Sequence, residues 1–239
     1  MKKIIISIVI IFASYLVLAQ HKTMTIYHSG GTTDVVNLSS TDSIIIFICG
    51  ASKVNYGGKA YNTVLIGNQC WLKENLDIGT MIISSQNSID NGIIEKYCYN
   101  NDPVNCATYG AMYQWNEAMQ YIITNGAKGI CPNEWHIPSY AELQILKTTV
   151  NENSNSLKAV GQGSGAGAGT NASGFSGLLA GSRNYLGGVN GLGYYTLLWS
   201  STEYAGYAGW SLDLQYNDSS IDFFAIDARN GQYIRCIKD

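Results

Sequence analysis

The residues able to do chemistry are few: six cysteines, one isolated histidine in the main part of the chain, a late group of aspartates, a glycine run and a surplus of tyrosine. The cysteines are Cys49, Cys70, Cys98, Cys106, Cys131 and Cys236. An even number without any C-x-x-C pair has the arithmetic of a disulfide framework, and nothing in it has structural-zinc spacing. Local spacing favours a Cys98–Cys106 bridge, because the short step between them holds Asn100, Asn101, Asp102 and Pro103, all turn formers.

His136, in Trp135-His136-Ile137-Pro138, has no G-x-S-x-G nucleophile to serve. It is expected to hydrogen-bond backbone at the entry to a helix rather than act as a base. Asp213, Asp218, Asp222 and Asp227 could supply some of the six to eight oxygens that calcium takes, yet no ligand motif joins them. They are read as solvated turn carboxylates, with calcium possible but unsupported and the metal question open. Residues 161–177 invite a phosphate-loop reading. The run lacks the Lys-Ser/Thr ending of such loops, so a flexible recognition loop is expected there.

Tyrosine contributes 17 residues. Tyr185, Tyr194, Tyr195, Tyr204 and Tyr207 crowd one stretch among Gly and Asn and form the candidate ligand face. Aromatic faces with flanking amides give large rigid contact area at low entropy cost. Trp199 is expected to be buried, and Trp210, which alternates with leucines, could be buried as well.

These groups need elements to position them. Met112, Trp115, Met119 and Ile122 recur at helical steps and predict one helix. Ser139 with Glu142 forms a capping box after Pro138, predicting a second with Leu143, Leu146 and Val150 on its inner face. Downstream, Trp210, Leu212, Leu214 and Tyr216 alternate, then Ile221, Phe223 and Ala225, and Asn230-Gly231 reads as a type I′ hairpin turn into Tyr233–Ile237. Helices first and a β-meander after them argue an α+β fold. Upstream, Thr23–His28, Val35-Val36 and Ile44–Ile48, punctuated by Gly30-Gly31, read as a small β unit over residues 20–53. The main domain then runs over 54–239.

The first residues carry a further expectation. Lys2 and Lys3 precede an uncharged run, Ile4–Ala19, with Val17 and Ala19 at small-residue positions before Gln20. This describes a secretory signal peptide over residues 1–19, with an uncleaved anchor as the alternative. No cysteine near the cleavage point could accept a lipid, and the mature chain is expected to be secreted or held at the cell surface without a transmembrane segment. With 14 Lys+Arg against 17 Asp+Glu, net −3, there is no basic footprint for nucleic acid. Charged residues make up 13% of the chain, about half of the ~25% of an ordinary soluble domain.

Six stretches, in order, carry a resemblance: Tyr61–Thr80, Thr108–Met119, Gly129–Leu146, Asn171–Asn184, Leu198–Tyr204 and Ile234–Asp239. The chain resembles the Fibrobacter succinogenes major paralogous domain, found in secreted and surface proteins of fibre-degrading and gut bacteria. That family is similar to the C-type lectin-like fold, the scaffold also used by formylglycine-generating enzymes. The resemblance implies two early helices, a curved antiparallel C-terminal sheet, and a disulfide tying the last strand to an earlier segment. Cys131 would pair with Cys236 on that basis, leaving Cys49 with Cys70. Glu134 departs from the family, which usually has Gly there; a positive φ at this position would strain it. The calcium motifs of the sugar-binding lectins are absent, and the reactive cysteine of the enzyme branch finds no counterpart, since the pairing that the resemblance implies would occupy all six cysteines. The functional expectation is therefore a non-catalytic binding module, with no enzymatic activity, for a glycan or a cell-surface partner. An enzyme of the formylglycine-generating type and a structural component of the cell envelope are the alternatives.

Overall fold

The computed structural model describes residues 22–27, 33–38 and 47–239. The expected signal peptide, His28, Gly30-Gly31 and Ile44–Ile46 lie outside these residues. The chain divides into two compact units between Phe47 and Ile48, a few residues before the change of composition that begins near Val54. In the first unit, β1 (Lys22–Tyr27) and β2 (Thr33–Leu38) pair antiparallel, Lys22 opposite Leu38 and Tyr27 opposite Thr33.

The second unit is mixed α and β, richer in strand than in helix. It begins with the hairpin of β3 (Val54–Tyr56) and β4 (Lys59–Tyr61), followed by β5 (Thr63–Ile66) and β6 (Gln69–Leu72). Two short parallel strands follow, β7 (Thr80–Met81) and β8 (Glu95–Lys96), then α1 (Pro103–Tyr109), β9 (Met112–Gln114) and α2 (Trp115–Ala118). Next come β10 (Trp135–His136) and α3 (Tyr140–Thr149). The C-terminal half supplies β11 (Ala180–Arg183), β12 (Val189–Leu192), β13 (Tyr195–Tyr204), β14 (Ala208–Gln215), β15 (Asp222–Asp227), β16 (Gly231–Tyr233) and β17 (Ile237–Lys238).

One sheet has the order β10-β17-β6-β5, so the last strand lies between early ones. The larger has the order β12-β11-β16-β13-β14-β15, with β9 on β16. It is mixed rather than purely antiparallel, because β13 runs parallel to β11 and to β16. The core between these layers gathers Trp71, Met112, Leu146, Phe175, Leu198, Leu212 and Tyr233.

The capping box is present as expected. Ser139 Oγ accepts the Glu142 N–H at 3.2 Å, Glu142 Oε2 accepts the Ser139 N–H at 2.8 Å, and Leu143, Leu146 and Val150 are buried. The stripe from Met112 to Ile122, in contrast, is not one helix. The Met112 backbone is taken by Tyr97 and by β16, which makes it a strand; α2 is a single turn, ending where Gln120 and Tyr121 turn to positive φ. Ile122 is 51% exposed, off the stripe it seemed to continue. Conversely, Asp102-Pro103, read only as turn formers, begin α1: Asp102 Oδ1 caps the Val104 N–H at 2.9 Å and Pro103 occupies the first turn.

Asn230-Gly231 is not a hairpin turn. β15 pairs with β14 while β16 pairs with β9, β11 and β13, so the chain leaves one edge of the sheet and re-enters at its centre. Ile48 is exposed and lies outside any strand, against the strand expected through it. The run 161–177 is packed rather than loose. A Cβ on Gly167 would lie 2.3 Å from the Tyr216 carbonyl oxygen, and the Ser164 N–H donates to that oxygen at 2.7 Å. Glycine there permits close backbone approach rather than mobility.

All six cysteines are bridged: Cys49–Cys70, Cys98–Cys106 and Cys131–Cys236. Glu134 sits at φ 65°, in the left-handed region where Gly is at ease, and its carbonyl accepts the Asp239 N–H at 3.0 Å.

Candidate functional site

The five tyrosines of the expected ligand face do not form one surface. Tyr195 and Tyr204 are the two ends of β13, a ten-residue strand, so about 30 Å of extended chain separates them. Tyr194 packs edge-on against Tyr216 at 5.0 Å, and the Tyr195 hydroxyl is engaged by Asn190 and by Ser182. Tyr204 and Tyr207 lie at the other end, on the turn between β13 and β14. Tyr185 belongs with these two, since its ring lies 5.0 Å from the guanidinium of Arg229, which borders the same cleft as Tyr207.

Local sequence explains the geometry of this end. Ala205 and Gly206 take φ 53° and 78°, as the central residues of a type I′ turn must, and strand twist favours that turn. Just before it, Ser200, Ser201 and Thr202 break the β13–β14 register in a bulge that re-aims Glu203 and Tyr204. The bulge is held from outside. The Ser201 N–H donates to the Pro138 carbonyl at 2.8 Å, Thr202 Oγ1 accepts the Tyr140 N–H at 2.9 Å, and Ser201 Oγ accepts the Gly126 N–H at 2.8 Å. Aromatic stacking braces it from below: Tyr204 meets Trp210 edge-on at 5.3 Å, and Trp210 stacks on Tyr140 at 4.7 Å. Trp199 is fully buried and donates from Nε1 to the Tyr113 carbonyl at 2.9 Å.

Between this turn and the one after β15 lies a cleft of about 340 Å³ bordered by Trp115, Asn116, Glu203, Tyr207, Asp227 and Arg229. Trp115 forms its floor, donating to the Ser200 carbonyl at 2.8 Å; a Cβ on Gly209 would lie 2.3 Å from that indole, so only glycine lets β14 pass beneath it. The two turns are joined by the Ala228 N–H on the Tyr207 carbonyl at 3.0 Å. Asp227 and Arg229 form a two-pronged pair at 2.9 and 2.6 Å, and the guanidinium holds the Asp227 carboxyl below its ordinary range. Among the described residues the side chains of Glu203 and Asn116 have no hydrogen-bond or ion-pair partner, and Tyr207 is 64% exposed. The arrangement offers a ring face, a free carboxylate, a free amide and a planar ion pair around one hollow.

The other sequence candidates have separate settings. His136 lies between two carboxylates, Glu142 at 3.0 Å from Nε2 and Asp239 at 2.6 Å from Nδ1. The Glu142 contact above all raises the imidazole pKa against the opposing effect of burial. It is thus bound to side chains, not to backbone as expected from sequence. Glu142 is pushed up by burial but more strongly lowered by His136 and Ser139, and rests at about 2.

Of the four aspartates, Asp213 is buried and pushed up to about 6, chiefly by that burial and further by Asp222 opposite it on β15. Asp218 binds the N–H and hydroxyl of Ser220, and Asp227 is committed to Arg229. Among the described residues no three His, Cys, Asp or Glu side chains come together to hold a metal ion, and no helix is long and apolar enough to cross a membrane.

The sequence names Asp227 only as a calcium candidate, sets Asn116 aside as part of a helix, and gives no role to Glu203 or Arg229. Their types are ordinary surface types, and only the pairing of β13, β14 and β15, with α2 tied to the turn after β15 by the Trp115 N–H on the Ala228 carbonyl at 2.9 Å, brings them to one hollow. No curated protein and no solved structure matches the chain. The model of the Fibrobacter succinogenes major domain matches residues 64–238, the span that holds β6, every helix and both large sheets. By that match over most of its length, the chain belongs to the Fibrobacter succinogenes major domain family.

Proposed function

We propose that this chain is a non-catalytic binding module, exported from the cell, that holds a glycan in the hollow between the β13–β14 turn and the turn after β15. The observation that carries the reading is the juxtaposition of an open Tyr207 ring with the uncommitted carboxylate of Glu203 and amide of Asn116. A sugar ring presents a C–H face that an aromatic ring can cover, and hydroxyls that a carboxylate accepts and an amide both donates to and accepts from. The Asp227–Arg229 pair adds planar donors and acceptors at the rim. Trp210, stacked on Tyr140, braces Tyr204, which meets the Tyr207 ring edge-on at 6.5 Å and so lowers the ordering entropy that Tyr207 loses on binding.

Three disulfides support export, since such bridges persist in oxidising compartments. A C-type lectin-like scaffold is part of the proposal. In its favour are the last strand β17 lying between β6 and β10, the Cys131–Cys236 tie, and helices that precede the larger sheet. That scaffold presents loops at one end for recognition, where the hollow lies in this reading.

The test is a glycan array probed with the disulfide-bonded protein, followed by the same array with Tyr207→Ala and Glu203→Gln. Retention of a defined glycan, lost in both variants while their melting temperatures stay at the parent value, is the expected result. An array with no retained glycan, or retention indifferent to both substitutions, overturns the reading.

A further inference from the structure

A second hollow, of about 270 Å³, shares no residue with the first. It is bordered by Lys59, Lys73, Glu74, Asn75, Thr108, Tyr109, Ser176 and Arg235 among others. Its charge is opposite to that of the chain as a whole. Three cations meet one carboxylate, that of Glu74, and both its oxygens are taken by Asn62, through the N–H at 2.8 Å and the side-chain amide at 2.5 Å. Among the described residues the Lys73 ammonium has no ion-pair or hydrogen-bond partner, and Lys59 rests 5.4 Å from the Tyr61 ring.

Arg235 is the unusual member. It is 2% exposed, lies 4.1 Å from the Phe175 ring, and touches no carboxylate among the described residues. Its Nε and Nη2 donate to Asn75 Oδ1 at 3.1 and 2.9 Å, and its Nη1 donates to the Phe175 carbonyl. Three of the five guanidinium N–H groups are thereby used, leaving one on each terminal nitrogen. A buried cation without a counter-ion is costly, and burial lowers this guanidinium to about 9 despite the opposing pull of Glu74. Asn75 cannot swing in to help, because its amide donates to the Tyr109 carbonyl at 2.9 Å.

We propose that this hollow binds the carboxylate of a uronic acid residue, with Arg235 as the buried counter-charge and Lys59 and Lys73 at the mouth. Two N–H groups on neighbouring terminal nitrogens form the fork that a planar carboxylate fits. The Thr108 hydroxyl donates to the Val104 carbonyl at 2.9 Å and keeps its lone pairs for a sugar hydroxyl, while Ser176 Oγ already accepts the Asn171 amide at 3.0 Å and has one lone pair left. The volume lies just below the range for ligand pockets, roughly 300–1,000 Å³, which suits a single ring rather than a longer chain.

Calorimetric titration with D-galacturonate and D-glucuronate, against D-galactose, acetate and inorganic sulfate, tests the inference. A uronate is expected to bind, the neutral sugar is not, and acetate and sulfate bind at least about tenfold more weakly than the uronate. Lys73→Gln and Lys59→Gln, both at the partly exposed mouth, are each expected to weaken the uronate about tenfold, the equivalent of one charge-assisted hydrogen bond. Absence of uronate binding, equal binding of galactose, acetate or sulfate, or indifference to both lysine variants overturns it. Tyr207→Ala serves as the separating control. Uronate binding unchanged by it keeps this inference whatever the glycan array gives, and uronate binding abolished by it assigns the sugar to the first hollow and overturns the second.

Discussion

The bridge between Cys131 and Cys236 spans a sequence separation of 105 residues, whereas that between Cys98 and Cys106 spans 8. Both are buried to the same degree, with all four residues at 0 or 1% exposure, so the packing lost on removing either is similar and loop length is the main variable. On the chain-entropy model the long loop restrains the unfolded state by about 4.7 kcal/mol and the short one by about 2.5 kcal/mol. For a unit the size of residues 48–239, each kcal/mol moves the melting temperature by roughly 2–4 °C. Replacing Cys131 and Cys236 together by Ala should therefore lower it by roughly 9–19 °C, and replacing Cys98 and Cys106 by roughly 5–10 °C. Differential scanning calorimetry on the two paired variants reads this directly. A short-loop variant that loses as much as the long-loop one, or a parent protein whose melting is unchanged by a reductant, would refute the reasoning.

Further outcomes are expected. Gly167→Ala drives a Cβ against the Tyr216 carbonyl and should cost roughly 1–3 kcal/mol in urea denaturation, the cost of overpacking; an unchanged midpoint would mean that the glycine run is loose after all. Glu134→Gly relieves a left-handed conformation worth about 1–2 kcal/mol and gives back part of it as unfolded-chain entropy, for a net gain of about 0.5 kcal/mol; a loss of stability would show that its pairing with Lys238 outweighs the strain. His136 has its folded pKa raised, so its contribution is complete below the unfolded value near 6.5 and fades as pH climbs through the higher folded one. Glu142, held at about 2, contributes fully above its ordinary carboxylate range and loses that contribution as pH falls toward 2. Stability measured against pH should thus lose its alkaline-side decline in His136→Gln, and a decline of unaltered size in that variant would remove His136 as the cause.

What was legible in the sequence was local or covalent. The Ser139–Glu142 box works through residues three apart, Trp210, Leu212 and Leu214 alternate with polar residues along β14, and Glu134 declares its strain by standing where the family has Gly. The misreadings share a different cause. Met112 was drawn into a helix by the spacing of Trp115 and Met119, yet its backbone is claimed by Tyr97 and Tyr233, one of them more than a hundred residues away. Asn230-Gly231 has the composition of a tight hairpin, but the partner of β16 is β9, and no local pattern announces a strand that enters the middle of a sheet. The ligand face was read as one stretch of sequence, whereas an antiparallel ribbon carries residues ten apart to opposite ends.

The low charge content has a physical meaning that composition alone does not disclose. A fold with so much irregular backbone leaves many carbonyls outside any ladder, and each buried one needs a donor. Several of the few cations are placed inside to serve them. Lys158 donates to the carbonyls of Gln215 and Asp218 at 2.6 and 2.7 Å, and Arg183 to those of Ser84, Gln86 and Arg229 at 2.7, 3.0 and 3.0 Å while lying 4.2 Å from the Tyr97 ring. Arg235 does the same for Phe175. Such a cation keeps its charge without a carboxylate because carbonyl dipoles solvate it, and it joins segments remote in sequence, such as 84–86 with 183 and 229. Arg183 in particular fixes the carbonyl of Arg229, whose side chain forms the rim of the first hollow. The same guanidinium chemistry that stitches loops in the interior therefore governs how rigidly the proposed recognition surface is presented. Where such a cation borders open space with N–H groups to spare, as Arg235 does, an internal stitch is already most of an anion site.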